Sequence, residues 1–154
     1  VKMPLPWSKD SLTNKKIKVP ENKVIAKKIP STYVPGRNTL FLSYALSFAQ
    51  SQNAKNIFIG ANALDYSGYP DCRPQFIDAY NGLLKSLGLN IKVLAPLLHL
   101  TKAQIIKLGT KIKVPYQYSW SCYNGLKKPC GKCDSCKLRA KGFAQAGRKD
   151  PAIS

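Results

Sequence analysis

Four of the five cysteines of the 154-residue chain fall within fifteen residues, Cys122-Tyr-Asn-Gly-Leu-Lys-Lys-Pro-Cys130-Gly-Lys-Cys133-Asp-Ser-Cys136. A C-x2-C step sets two sulfurs on one side of a tight turn, within reach of a shared metal ion, and Gly131 supplies the backbone freedom for that turn. Cys122 reaches the same point across a short loop bent by Gly125 and Pro129. Four thiolates close a tetrahedron and leave no open position. The chemistry predicted for Cys122, Cys130, Cys133 and Cys136 is therefore a structural zinc knot, not a catalytic metal. Two other uses of thiols stand beside it. Disulfides suit a secreted chain, but no signal-peptide pattern is visible and adjacent C-x2-C pairs bridge poorly. Ferredoxin-type iron–sulfur sites share the C-x2-C-x2-C spacing, but their further cysteine belongs where Ala140 stands, with Pro after it where this chain has Lys141.

A second stretch carries chemistry of another kind, Gly60-Ala-Asn-Ala-Leu-Asp-Tyr-Ser-Gly-Tyr-Pro-Asp-Cys-Arg-Pro74. It follows an expected strand and is much longer than an ordinary strand-to-helix connection. Long loops at the carboxyl ends of parallel strands are where ligands gather. Asn62, Asp65, Tyr69, Asp71 and Arg73 suit a planar heterocycle with hydrogen-bonding edges and an anionic group, with magnesium as a further candidate. Arg37, ahead of the first helix, is placed to reach a phosphate. The plainer reading of the loop is structural, its Asp and Asn side chains capping backbone groups. Cys72 would need a base to act as a nucleophile, and the single histidine, His99, reads as a packed imidazole. No thiol enzyme is built on that pair, and no catalytic residue is assigned.

These residues need elements to position them. Asn38 is expected to cap a helix over 39–52, with Phe41, Tyr44, Ala45 and Phe48 on its inner face. A short apolar strand follows at 57–59, closed by Gly60. A helix over 75–87 turns Phe76, Tyr80, Leu83, Leu84 and Leu87 inward and stops at Gly88. A second strand spans 91–94. Thr101-x-x-Gln104 is a capping box opening a helix that ends at Gly109. Asp134 or Ser135 caps a last helix running to Ala146 and Gly147. The alternation of helix and strand predicts an α/β layer with a parallel sheet. Residues 1–36, broken by five prolines, read as an irregular basic lead with one short strand at 23–29.

The net charge is +18, from 25 basic against 7 acidic residues. Such an excess attracts polyanions, phosphates above all. All but four of the basic residues are Lys, spread evenly, so direct nucleic-acid binding is not expected from charge alone. Arg37, Arg73, Arg139 and Arg148 stand out as places where a planar, bidentate fork is needed. The longest apolar run, 93–98, is far too short to span a membrane. Clustered cysteine without a targeting segment fits a reducing cytoplasm.

Tyr33-Val-Pro-Gly-Arg-Asn38, the loop 60–74, Leu100-Thr-Lys-Ala-Gln104, Trp120-Ser-Cys-Tyr123 and Pro129-Cys-Gly-x-Cys-x-Ser-Cys136 together resemble the 7-cyano-7-deazaguanine synthase family of queuosine biosynthesis. The resemblance runs over essentially the whole chain. It implies an adenine-nucleotide-hydrolase-like α/β fold of the N-type ATP pyrophosphatases, a structural zinc and a homodimer. Its reaction uses ATP with magnesium, 7-carboxy-7-deazaguanine and ammonia, through an adenylate and an amide, to form a nitrile. The family also has an S-G-G-x-D-S loop that cradles the ATP pyrophosphate, and no such loop or Gly-Gly pair occurs here. The chain is thus expected to be the carboxyl-terminal part of a single α/β domain: a lead at 1–36, an α/β layer at 37–121 and the zinc knot with its helix at 122–147. A non-catalytic, basic zinc module for nucleic acid and an inactive remnant of the synthase are the competing readings.

Overall fold

A computed structural model of the chain describes residues 5, 9–21, 29–62 and 68–153. They belong to two compact units, a central one, Gly36–His99, and a terminal one formed by Val1–Pro35 and Leu100–Ser154. The α/β class expected from the sequence holds, with four α-helices and one small parallel sheet among the described residues. Asp65 and nearly all of the strand expected at 23–29 lie outside the described residues.

The central unit runs α1 (Arg37–Ser51), β1 (Asn56–Phe58), a 3₁₀ turn (Pro70–Cys72), α2 (Pro74–Ser86) and β2 (Lys92–Leu94). β1 and β2 pair in parallel, with Ile57 opposite Val93 and Phe58 opposite Leu94. Asn53 and Gly88 reverse the chain behind the two helices at positive φ, 53° and 69°, a conformation that Asn and Gly tolerate best. Ile57 and Val93 point into a core shared with Leu42, Ala49, Ile77, Tyr80 and Leu84. The Asn81 side chain then fastens α2 to β2. It accepts from the Val93 N–H at 2.8 Å and donates to the Val93 C=O at 3.0 Å. Those two groups face away from β1, whose bonds to β2 pass through Lys92 N–H and Leu94 C=O. One edge of the sheet is thereby closed by a side chain.

Three expectations about these helices are corrected. α1 starts at Arg37 behind Gly36, at φ 71°, so Asn38 lies inside the first turn and caps nothing. Its inner face is Leu42, Ala45, Leu46 and Ala49, while Phe41, Tyr44 and Phe48 are 53–64% exposed. Small residues let a helix lie closer to a sheet than aromatic ones, and the helix has turned accordingly. In α2 the inner residues are Ile77, Tyr80 and Leu84, with Leu83 and Leu87 exposed.

The terminal unit is built on α3 (Lys102–Lys111) and α4 (Asp134–Gln145). The capping box forms as expected: Thr101 Oγ1 accepts from Gln104 N–H, and Gln104 Oε1 accepts from Thr101 N–H. α3 does not end at Gly109, which lies inside it. A Cβ there would sit 2.0 Å from the Tyr116 hydroxyl, which instead donates to the Ile105 carbonyl at 3.1 Å. Gly142 of α4 makes the matching approach, since a Cβ on it would lie 2.8 Å from Lys102 Cβ and 3.1 Å from Ile106 Cδ1. Ile106, Phe143 and Ala146 fill the seam, with the Tyr116 and Phe143 rings edge to face at 5.4 Å. α4 opens behind Cys133, not behind Asp134 or Ser135. Asp134 occupies the first turn instead, where a negative charge favours the helix dipole.

Candidate functional site

The four clustered cysteines come together in the terminal unit. Their sulfurs all lie within 4.8 Å of one another, and Cys130 Sγ and Cys136 Sγ are 4.0 Å apart. A tetrahedron drawn with metal–sulfur bonds of about 2.3 Å has edges of roughly 3.8 Å, so the donors need little adjustment to hold one ion. Cys133 is fully buried, Cys122 and Cys136 nearly so, and Val19 and Tyr123 close over them. The irregular lead contributes directly, because Glu21 forms an antiparallel bridge with Cys133.

Main-chain N–H groups converge on the sulfurs. Asn124 and Cys130 each donate to Cys122 Sγ at 3.4 Å. Cys133 and Lys132 donate to Cys130 Sγ at 3.3 and 3.5 Å. Such donors favour thiolate over thiol. Burial opposes ionisation of Cys130, but the N–H groups of Cys133 and Lys132, with Cys122 and Asn124, outweigh it and bring the thiol down to about 6. Burial pushes Cys136 the other way, up to about 12, and the neighbouring Cys133 and Cys122 add to the rise. Four thiolates in one place repel each other unless a cation sits among them. A bound metal removes that conflict, since coordinated thiols lose their protons outright. The arrangement can hold a metal ion and leaves no protein-free position on it.

Arg139 anchors the helix that carries Cys136. It makes a bidentate pair with Asp150, 2.5 Å from Nε to Oδ2 and 2.7 Å from Nη2 to Oδ1. The remaining donors reach Ser119 Oγ at 2.8 Å and the carbonyls of Ser119 and Tyr116 at 3.3 Å. The guanidinium carbon also lies 5.1 Å from the Phe143 ring centre. The expected need for a planar fork is met here by architecture: α4 is clamped to the segment leading into Cys122. Asp150, five residues beyond the end of the helix, carries no signal in the sequence for this pairing.

The loop of the central unit is placed differently. Asn38, expected as a cap, donates to the Asp71 carbonyl at 3.1 Å and to Cys72 Sγ at 3.7 Å. It thereby fixes the 3₁₀ turn beside the start of α1. Asp71 is buried, Tyr69 and Arg37 are half-buried and Arg73 is exposed. Asn62 donates to the Leu97 carbonyl at 3.4 Å, tying the exits of the two strands together. His99, read as a packed imidazole, is exposed.

The family model for queuosine biosynthesis protein QueC matches residues 1–147. A curated 7-cyano-7-deazaguanine synthase of Picrophilus torridus is 59% identical over 141 residues, covering 87% of this chain and 59% of that relative. The synthase of Thermoplasma volcanium is 51% identical over 93% of this chain and 62% of its own length. That of Trichormus variabilis is 46% identical over 94% and 68%. The chain thus spans about three-fifths of the length of the first two. With a family match across nearly all its residues and identities of this size, the chain belongs to the QueC family of queuosine biosynthesis proteins.

Proposed function

We propose that the chain is the carboxyl-terminal part of a 7-cyano-7-deazaguanine synthase, an ATP-dependent carbon–nitrogen ligase of queuosine biosynthesis and hence of tRNA modification. The observation that carries this is the 59% identity to such a synthase over 87% of the chain. ATP, with magnesium, activates the carboxylate of 7-carboxy-7-deazaguanine as an adenylate, releasing pyrophosphate. Ammonia attacks the acyl carbon and expels AMP, giving the amide. A second ATP activates the amide oxygen, which departs with AMP as the nitrogen gives up its two protons, leaving the nitrile.

In this reading Asn62, Asp65, Tyr69 and Asp71 hold the heterocycle, and Arg37 and Arg73 offer forks to its carboxylate or to phosphate. The ion at Cys122, Cys130, Cys133 and Cys136 is zinc, with a structural role: it fastens α4 to the loop before it. The fold completes an adenine-nucleotide-hydrolase-like domain whose carboxyl-terminal part is this chain, with its lead at 1–36, layer at 37–121 and zinc knot at 122–147. The working enzyme is a cytoplasmic homodimer acting on a free base, so it needs no direct contact with nucleic acid. A basic nucleic-acid module would leave the 60–74 loop without a task. Among the described residues no helix is long and apolar enough to cross a membrane.

The test is a mass-spectrometric assay with ATP, ammonia and 7-carboxy-7-deazaguanine. The chain alone is expected to form no nitrile, because it carries no S-G-G-x-D-S phosphate loop. Supplied with the amino-terminal segment of a relative, fused or in trans, it is expected to release AMP and nitrile together. Nitrile from the bare chain overturns the partition proposed here. None from the completed one favours an inactive remnant.

A further inference from the structure

Asp71 is 3% exposed, and among the described residues neither oxygen of its carboxylate has a hydrogen-bond partner. Buried polar groups are almost always satisfied, and an unpaired buried carboxylate is among the most destabilising arrangements a fold can hold. The position is not slack that could relax. Pro70 and Pro74 fix φ on either side, Cys72 N–H bonds back to the Tyr69 carbonyl at 3.2 Å, and Asn38 grips the Asp71 carbonyl at 3.1 Å. The turn is tied down through its main chain, while the charged end of the side chain is left over. It belongs to the connection that leaves the carboxyl end of β1, where parallel sheets receive ligands.

A planar carboxylate with both oxygens vacant calls for two parallel N–H donors in one plane. We propose that Asp71 selects the 2-amino-pyrimidinone edge of the heterocycle, its two oxygens accepting from the ring N1–H and the exocyclic amine. This rests on the reading of the 60–74 loop as the substrate site. The chemistry favours that edge over the other. The reacting carboxylate on C7 is itself an anion and is repelled by a buried carboxylate, so Asp71 turns it away. The pyrimidinone edge is unchanged from carboxylate through amide to nitrile, so one contact can serve the bound species through both activations. An aspartate here also rejects heterocycles lacking the 2-amino group, because one oxygen would be left buried and unpaired.

The experiment measures binding of 7-cyano-7-deazaguanine, and of its analogue lacking the 2-amino group, to the metal-loaded chain by calorimetry. The wild type is expected to prefer the amino compound by about ten- to a hundredfold, the range set by a charge-assisted hydrogen bond. Asp71→Asn, which turns one acceptor into a donor, is expected to bring the two affinities within about threefold. Its thermal midpoint should be unchanged or higher, because it removes a buried unpaired charge. A merely structural aspartate would instead lower the midpoint and leave the preference intact, and that result overturns the proposal. A wild type that binds both compounds equally overturns it too, while the loop remains a substrate site. Binding of neither removes the loop from the site and takes both readings down, which the nitrile assay would not do.

Discussion

At the scale of single residues, the knot and its anchor make separable predictions. Cys133 has no exposure at all, so Cys133→Ser cannot be bypassed by solvent. It is expected to lose most of the roughly one metal ion per chain and to unravel α4, read by elemental analysis and by far-ultraviolet circular dichroism. A strong chelator should lower the thermal midpoint of the wild type by about 10 °C or more, because binding energy here is folding energy. An unchanged midpoint would show the ion to be dispensable. Asp150 gives a pH signature. Burial tends to raise its pKa, but the Arg139 hydrogen bond, the Ala152 N–H and the Arg139 charge outweigh that and hold it below the ordinary value. A depressed carboxylate stabilises the fold above its unfolded pKa, and the gain disappears as pH falls through the folded one. Asp150→Asn should therefore cost about 3–5 kcal/mol near neutrality, as for a broken buried pair. The gap to wild type should narrow below about pH 4, measured by urea titration at each pH. The cysteines were legible in the sequence because their spacing is local. The Arg139–Asp150 pair was half legible: the chain's preference for Lys singled out Arg139, but nothing local named its partner.

Among the described residues the helices and the two strands of the central unit were legible in their order, less so in which way they face. The two strands of the central unit, the capping box and the stops at Gly88 and Gly147 follow from short-range rules that the structure obeys. The facing of α1 does not, since aromatic spacing pointed to Phe41, Tyr44 and Phe48 while contact with the sheet selected Leu42 and Ala49. Asn38 was misread for a related reason. An Asn near a helix start is ordinarily a cap, and only the distant turn at Asp71 shows what it grips. Glycines inside helices reveal the same dependence on context, and two of them allow a paired test. Gly142→Ala would drive a methyl group into Lys102 and Ile106. The separation of α3 and α4 should outweigh the gain in helix propensity, lowering stability by about 1–3 kcal/mol. Gly82→Ala in α2 meets nothing within 4 Å and should raise stability by about 0.5–1 kcal/mol. Equal effects in a urea titration would mean that the α3–α4 seam is looser than described.

For the whole molecule, the sheet is the informative feature. Parallel sheets are ordinarily covered on both faces. Here the side chains opposite to Ile57 and Val93 remain in solvent, with Phe58 69% exposed and Leu94 36%. Such a surface invites association. The chain alone is expected to elute above its monomer mass and to bind a hydrophobic dye, and co-expression with the amino-terminal segment of a relative should suppress both. Retention of dye binding in the co-expressed pair would show that the segment covers some other surface. The two edges of this sheet are unlike. Asn81 occupies the hydrogen-bonding groups of Val93 on one side, whereas β1 has no further strand among the described residues. In the language of polymer growth, the unit is monofunctional: it has one reactive end and one stopper. Monofunctional units can meet in pairs but cannot extend into chains, so edge-to-edge association should saturate at two copies. Truncating Asn81 to Ala would remove the stopper, and the same polypeptide would become a monomer for open-ended fibres.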